Sequence, residues 1–259
     1  MILKFNNYIL EHKLWGKSIE EFLIWINDIS KYKWCLIDTE TTGLRESPYE
    51  VQLTQVSCII SNYNYLLNSF KDINTFNKKI KLTDTTKKLM NGNNSRIKNV
   101  LSFNHYGSKV NYFDENDVLN DFNTFISDYK DSVFVIQNAE FDMTFLNTRS
   151  NLKFQNRVID TKQILQLFYL PLIQKLSETD NYYKEIVNKI GVSDRDNGLI
   201  SSSLSKVGPA MGINMSGYHD ALTDIKLMQE MFINIIKILK DNKNVDIKKY
   251  QSERINKIR

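Results

Sequence analysis

The 259-residue chain is 42% hydrophobic and 25% charged, long enough to bury a sizeable core and too apolar for a disordered or collagen-like protein. No apolar run approaches the roughly 20 residues a membrane helix needs, and "MILKFNNYILEHKLW" lacks a small-residue cleavage site after a long apolar core, so the expectation is a soluble, cytoplasmic protein with no membrane partner. The net charge of +4 is mild but uneven: Lys237 to Arg259 holds eight Lys/Arg against three Asp/Glu, +5, which leaves −1 for the rest. A basic tail can hold phosphate, although a solvated helix end is the more common origin of such a run.

Ser18 is an N-cap for a helix over 18–28, with Phe22, Ile24, Trp25 and Ile26 as its apolar residues. Three apolar, β-rich stretches follow at 34–38, about 50–60 and about 64–70, and their short connections predict an antiparallel meander. Cys35 and Cys58 fall inside these strands and read as unpaired buried thiols. Residues 72–112 are rich in Asn and Lys and predict loops and small helices, one of them started by Thr83. A helix is expected over 117–129, a buried strand over 132–137, a helix through about 149 and a short strand at 157–160; the remainder reads as helical. Strands that meander and then alternate with helices imply a mixed sheet with helices on its faces.

Acids collect in three places. Asp38 and Glu40 end the first strand, and residues two apart on a strand share a face, so both carboxylates can converge on a hard divalent cation. Alone, a solvated loop entry explains most such pairs. Asp142, in "NAEFD", falls in the first turn of a helix, where the helix dipole by itself favours an acid; Asn138 sits at the turn before it. In "GYHDALTDI", Asp220 reads as the N-cap of a long amphipathic helix, Asp224 lies one turn in, and His219 precedes it.

Taken together, "DTETTGL", then "NAEFD", then His-x4-Asp opening a terminal helix resembles the DEDDh family of 3′→5′ exonucleases, over roughly residues 34–236. "VIDT" at 158–161 resembles the strand after that family's second motif, with Asp160 read as structural. The resemblance implies an RNase H-like α/β fold, a mixed five-stranded sheet with helices on both faces. It divides the chain into an N-terminal helical extension (1–33), an exonuclease domain (34–240) and a basic C-terminal tail (241–259). Gln137 stands where many relatives have His, and position 220 is Asp where the sister family has a catalytic Tyr.

By the same resemblance, Asp38, Glu40, Asp142 and Asp224 hold two divalent ions, Mg²⁺ or Mn²⁺, with Asp38 shared. These ions activate water and stabilise the leaving oxygen, and His219 takes the proton of the attacking water. Thr41 and Thr42 would contact the terminal 3′-hydroxyl through the backbone, Leu44 would wedge against the last base, and Asn138 would contact the phosphodiester. The expected function is metal-dependent removal of nucleoside 5′-monophosphates from the 3′ end of single-stranded nucleic acid, DNA favoured, in proofreading or end-trimming beside a DNA polymerase or other replication partner. The alternatives are an inactive nucleic-acid- or polymerase-binding module of the same fold, RNA trimming of the oligoribonuclease type, an endonuclease of similar fold, and a structural metalloprotein.

Overall fold

The computed structural model describes residues 14–43, 51–91, 111–150, 154 and 156–258. Helix α1 (Ile19–Ile29) opens with a capping box in which Ser18 and Glu21 satisfy each other's backbone N–H groups, two donors that would otherwise be unpaired at the helix start. Its buried face is Phe22, Leu23 and Ile26, whereas Ile24, expected on that face, is 58% exposed.

The sheet is formed by β1 (Lys33–Thr41), β2 (Leu53–Asn64), β3 (Ser69–Ile80), β4 (Tyr112–Phe113), β5 (Val133–Ile136) and β6 (Arg157–Asp160) in the order β4-β3-β2-β1-β5-β6. β1 pairs antiparallel with β2, and β2 with β3, while β1–β5, β5–β6 and β3–β4 are parallel. The expected five-stranded mixed sheet is present with one addition, the two-residue edge strand β4. β3 differs more from expectation, running to Ile80 through residues read as loop. Its central residues are mostly exposed, and without an alternating apolar face only the backbone ladder to β2 defines it as a strand.

Helices cover both faces. Along β1, Trp34 and Leu36 enter one apolar cluster with α1 and the C-terminal helices, while Cys35 and Ile37 enter a second with α3 (Glu115–Ser127) and α4 (Ala139–Arg149). A strand buried on both faces loses its alternation, which is why "WCLI" is continuously apolar. Both cysteines are free and buried. α2 (Asp84–Asn91) begins after Thr83, whose hydroxyl accepts from the Thr86 N–H at 3.2 Å.

After β6 the chain continues through α5 (Thr161–Ile164), a π-helical turn (Leu165–Tyr169), α6 (Leu170–Leu176) and α7 (Asn181–Ile190). The stretch read as helical throughout also contains a hairpin, β7 (Val192–Ser193) and β8 (Leu199–Ile200), before α8 (Leu204–Ala210). Each strand has only two residues, too short for a periodic signal. α9 (Ala221–Asp241) lies on the sheet, with Phe232 edge-on to Trp34 at 5.2 Å and to Tyr63 at 5.3 Å. α10 (Lys248–Ile258) holds much of the basic C-terminal segment. It packs on the core: Gln251 donates to the Leu167 carbonyl at 2.8 Å, and Arg254 is fully buried.

Phe232→Ala removes the ring that fastens α9 to the sheet. It should lower stability by about 3–5 kcal/mol, the usual cost of a buried aromatic truncated to Ala, measured as a shift in the urea midpoint.

Candidate active site

Asp38 and Glu40 stand at the C-terminal end of β1, opposite Ser57 and Gln55 of β2. A register shift follows between Glu40 and Thr41, so the strand stops pairing regularly just beyond its acids. Asp142 arrives from β5, which runs parallel to β1 with Ile136 beside Ile37. The chain then turns through Asn138 in the left-handed region (φ 63°) and enters α4, bringing Asp142 to β1. There it accepts from the Thr39 N–H at 2.8 Å and from the Thr39 hydroxyl at 2.7 Å.

The third contribution comes from the start of α9. Asp220 is its N-cap, accepting from the Thr223 N–H at 3.3 Å and pairing with Lys79 of β3 at 3.3 Å. Asp224 lies one turn in and accepts from the backbone N–H of His219 at 3.2 Å. His219 itself takes a positive φ of 73°, unusual for a residue other than glycine. Glu40, His219 and Asp224 each present a ligand atom, and these atoms lie within 4.8 Å of one another.

The electrostatics of this arrangement are adverse without a cation. Burial, followed by the neighbouring Asp142, Glu40, Asp224 and Asp220, pushes Asp38 well above the usual carboxylate range. Glu40 is pushed up the same way, by burial and then by Asp224 and Asp142, with only Lys79 opposing. Burial raises Asp142 to about 7 despite its Thr39 hydrogen bonds, and Asp224 to about 7 against the His219 N–H. Clustered carboxylate oxygens are the donors that hard divalent cations such as Mg²⁺ and Mn²⁺ accept. Lys79, which opposes the rise in Glu40, is itself paired with Asp220 at 3.3 Å, and neutralising the clustered acids it leaves charged is what such an ion does, so the residues present fit a divalent metal.

These acids line an open cleft of about 510 Å³. Asn138 also lines it, with its side-chain oxygen held by Lys162 at 3.2 Å. Thr41 and Thr42 do not line it: the Thr41 hydroxyl donates to the Gly43 carbonyl at 2.7 Å, and the Thr42 hydroxyl accepts from the Gln52 N–H at 2.9 Å. Leu44 lies outside the described residues. Asp160 organises the turn beneath the site, accepting from the N–H groups of Asn138, Ala139 and Lys162 at 2.9, 3.1 and 2.9 Å.

Sequence reasoning missed Thr39, which holds Asp142, and Tyr218, whose ring lies 3.9 Å from that of His219. It also missed the serine-rich segment 201–206 on the far wall. The run "SSSLSK" was visible, but nothing local tells a helix entry from a cleft wall.

The sequence matches no family model and no curated protein. The fold does match solved structures. These include a zinc-bound E. coli ExoI–ssDNA complex (TM-score 0.53, 14% identity, 85% of this chain and 42% of that one) and E. coli exonuclease I with a dT13 oligonucleotide (TM-score 0.53, 15% identity, 82% and 42%). Another is an exonuclease I structure described in terms of processivity (TM-score 0.53, 14% identity, 82% and 43%). The chain thus spans less than half the length of these proteins, and the likeness establishes a shared fold, that of RNase H-like exonucleases.

Raised carboxyl pKa values make metal-free stability depend on pH in a defined direction. The folded state holds these protons more tightly than the unfolded chain, so the stabilisation is full below about pH 4 and is lost as pH rises through about 7. Urea unfolding of EDTA-treated protein should show lower stability at pH 8 than at pH 5. Mn²⁺ should raise the urea midpoint more at pH 8, and Asp142→Asn should flatten the dependence.

Proposed function

We propose that the chain is a metal-dependent 3′→5′ exonuclease acting on single-stranded nucleic acid, DNA in preference, and releasing nucleoside 5′-monophosphates. The observation that carries this reading is the convergence of Glu40, His219 and Asp224, with Asp38 and Asp142 beside them, in one cleft. The shared fold with exonuclease I, which the solved structures hold with single-stranded DNA, supports the substrate class.

In this reading Asp38, Glu40, Asp142 and Asp224 hold the divalent ions, two by resemblance to the DEDDh family. Bound there, the ions supply a polarised water and a positive field for the charge that develops on the phosphodiester. Thr39 orients Asp142 through two hydrogen bonds to one oxygen, which leaves the other oxygen available as a ligand. His219, beside Glu40 and Asp224, accepts the proton of the attacking water. A new P–O bond forms, the bond from phosphorus to the 3′ oxygen breaks, and the phosphate stays on the 5′ oxygen of the released nucleotide. The leaving 3′ oxygen takes up a proton and becomes the new end. Thr41 and Thr42 lie outside the cleft lining, and the Thr42 N–H already donates to the Gln52 carbonyl at 2.9 Å, so neither is assigned a contact to the terminal sugar. Asn138 faces the phosphodiester from the cleft wall.

Asp38→Ala and Asp224→Ala should each abolish cleavage and keep the fold, since removing one of several clustered charges relieves repulsion. Turnover at the wild-type rate in either purified variant would overturn the assignment. His219→Ala should lose about 10²–10⁴-fold in rate while keeping metal affinity, as read by calorimetry.

Polarity separates this reading from internal cleavage. A 5′-labelled single strand should shorten stepwise with Mg²⁺, whereas the same strand bearing a 3′-phosphate, and a covalently closed circle, should persist. Rapid cutting of the circle by wild-type protein but not by Asp38→Ala would establish an endonuclease using the same acids.

A further inference from the structure

The wall of the cleft contributed by the β7–β8 region has a different chemistry from the carboxylate wall. The segment Ser201–Lys206 lines it, with Ser203, Ser205 and Lys206 exposed. Its hydroxyls form a chain: Ser201 donates to Ser203 at 3.2 Å, and Ser203 and Ser205 share a hydrogen bond at 3.4 Å. Among the described residues no acid forms an ion pair with Lys206.

The acid that this region contributes to the cleft lining, Asp196, is held by the protein's own donors. Asp196 is 7% exposed and accepts from the Ser202 N–H at 3.1 Å, the Ser202 hydroxyl at 2.7 Å and Gln166 at 3.4 Å. Behind it lies Arg254 of α10, fully buried, donating to the Ile200 carbonyl at 2.8 Å, with Nε and Nη1 unpartnered. Burial pulls this guanidinium down to about 10, against the opposing field of Asp196, so it remains a cation at neutral pH. Asp196 also lines the cleft, but its oxygens are engaged by Ser202 and Gln166 and it lies in the field of Arg254, so the exposed groups that Ser201–Lys206 offers to the cleft are hydroxyls and a lysine.

A polyanionic strand entering the cleft meets one wall of carboxylates and one of donors. We propose that the Ser201–Lys206 segment binds the phosphodiester backbone of the strand whose end occupies the acidic site. This deepens the nuclease reading and rests on it for the strand's orientation. Serine hydroxyls donate to phosphate oxygens, Lys206 supplies the charge, and neither reads bases. The basic C-terminal segment then serves substrate binding from inside, through Arg254, while its exposed Lys248 and Lys249 lie outside the cleft lining.

The test is fluorescence anisotropy with a short labelled oligothymidylate and EDTA-treated full-length protein across a range of salt concentrations. Lys206→Ala should weaken binding severalfold and reduce the slope of log affinity against log salt by about 0.7, one single-strand phosphate contact. Ser203→Ala should weaken binding with the slope unchanged, and Lys248→Ala/Lys249→Ala should change neither. Wild-type affinity and slope in Lys206→Ala, or a reduced slope in the Lys248/Lys249 variant, would overturn the proposal. If Mg²⁺-loaded wild type shortens oligonucleotides and Lys206→Ala binds normally, this wall fails and the nuclease reading stands. If no oligonucleotide is shortened yet binding depends on Lys206, the wall stands and the nuclease reading fails.

Discussion

Four carboxylates withdrawn from water into one cleft repel one another, and the surrounding structure holds them together against that repulsion. Asp142 is tied to β1 by both donors of Thr39, and Asp224 is held by the backbone of His219. Asp160 clamps the turn that delivers Asp142. The Thr39 and His219 groups are neutral hydrogen-bond donors, which fix position without cancelling charge. The acids therefore stay high in pKa and receptive to a cation, where an arginine partner would have lowered them and taken the cation's place.

Cationic side chains are present but kept to the margin. Lys79, which opposes the rise in Glu40, is paired with Asp220 at the start of α9. That ion pair and the Gln55 side chain, which accepts from the Ala221 N–H at 3.4 Å, join the helix start to β2 and β3. The position of the helix start in turn sets where His219 and Asp224 stand relative to Glu40. The β2–β3 part of the sheet, remote in sequence, thus contributes to the geometry of the site without entering it.

The two walls of the cleft divide the demands of binding an anionic polymer. The acidic wall is complementary to cations and, through them, to a reacting phosphate. The serine-rich segment keeps Asp196 largely buried on its own donors and exposes Ser203, Ser205 and Lys206.

Much of this was legible in the sequence wherever the cause is local. The continuous apolar run of β1, the Ser18 N-cap and the N-cap at Asp220 follow from strand burial and from the unpaired N–H groups of helix starts. The acids were legible as strings of fixed spacing, because strand and helix geometry dictate which neighbours share a face. Tertiary structure alone decided what depends on distant pairing. β3 is a strand because β2 lends it a ladder, β4 and the β7–β8 hairpin are too short to carry a period, and Arg254 enters the field of Asp196, distant in sequence, only in the folded core. Thr41 and Thr42, expected to meet the terminal sugar through their backbone, lie outside the cleft lining, and the fold engages their hydroxyls with Gly43 and Gln52. A basic C-terminal run reads as a solvated tail because composition records charge and not direction, and only packing revealed that Arg254 points inward.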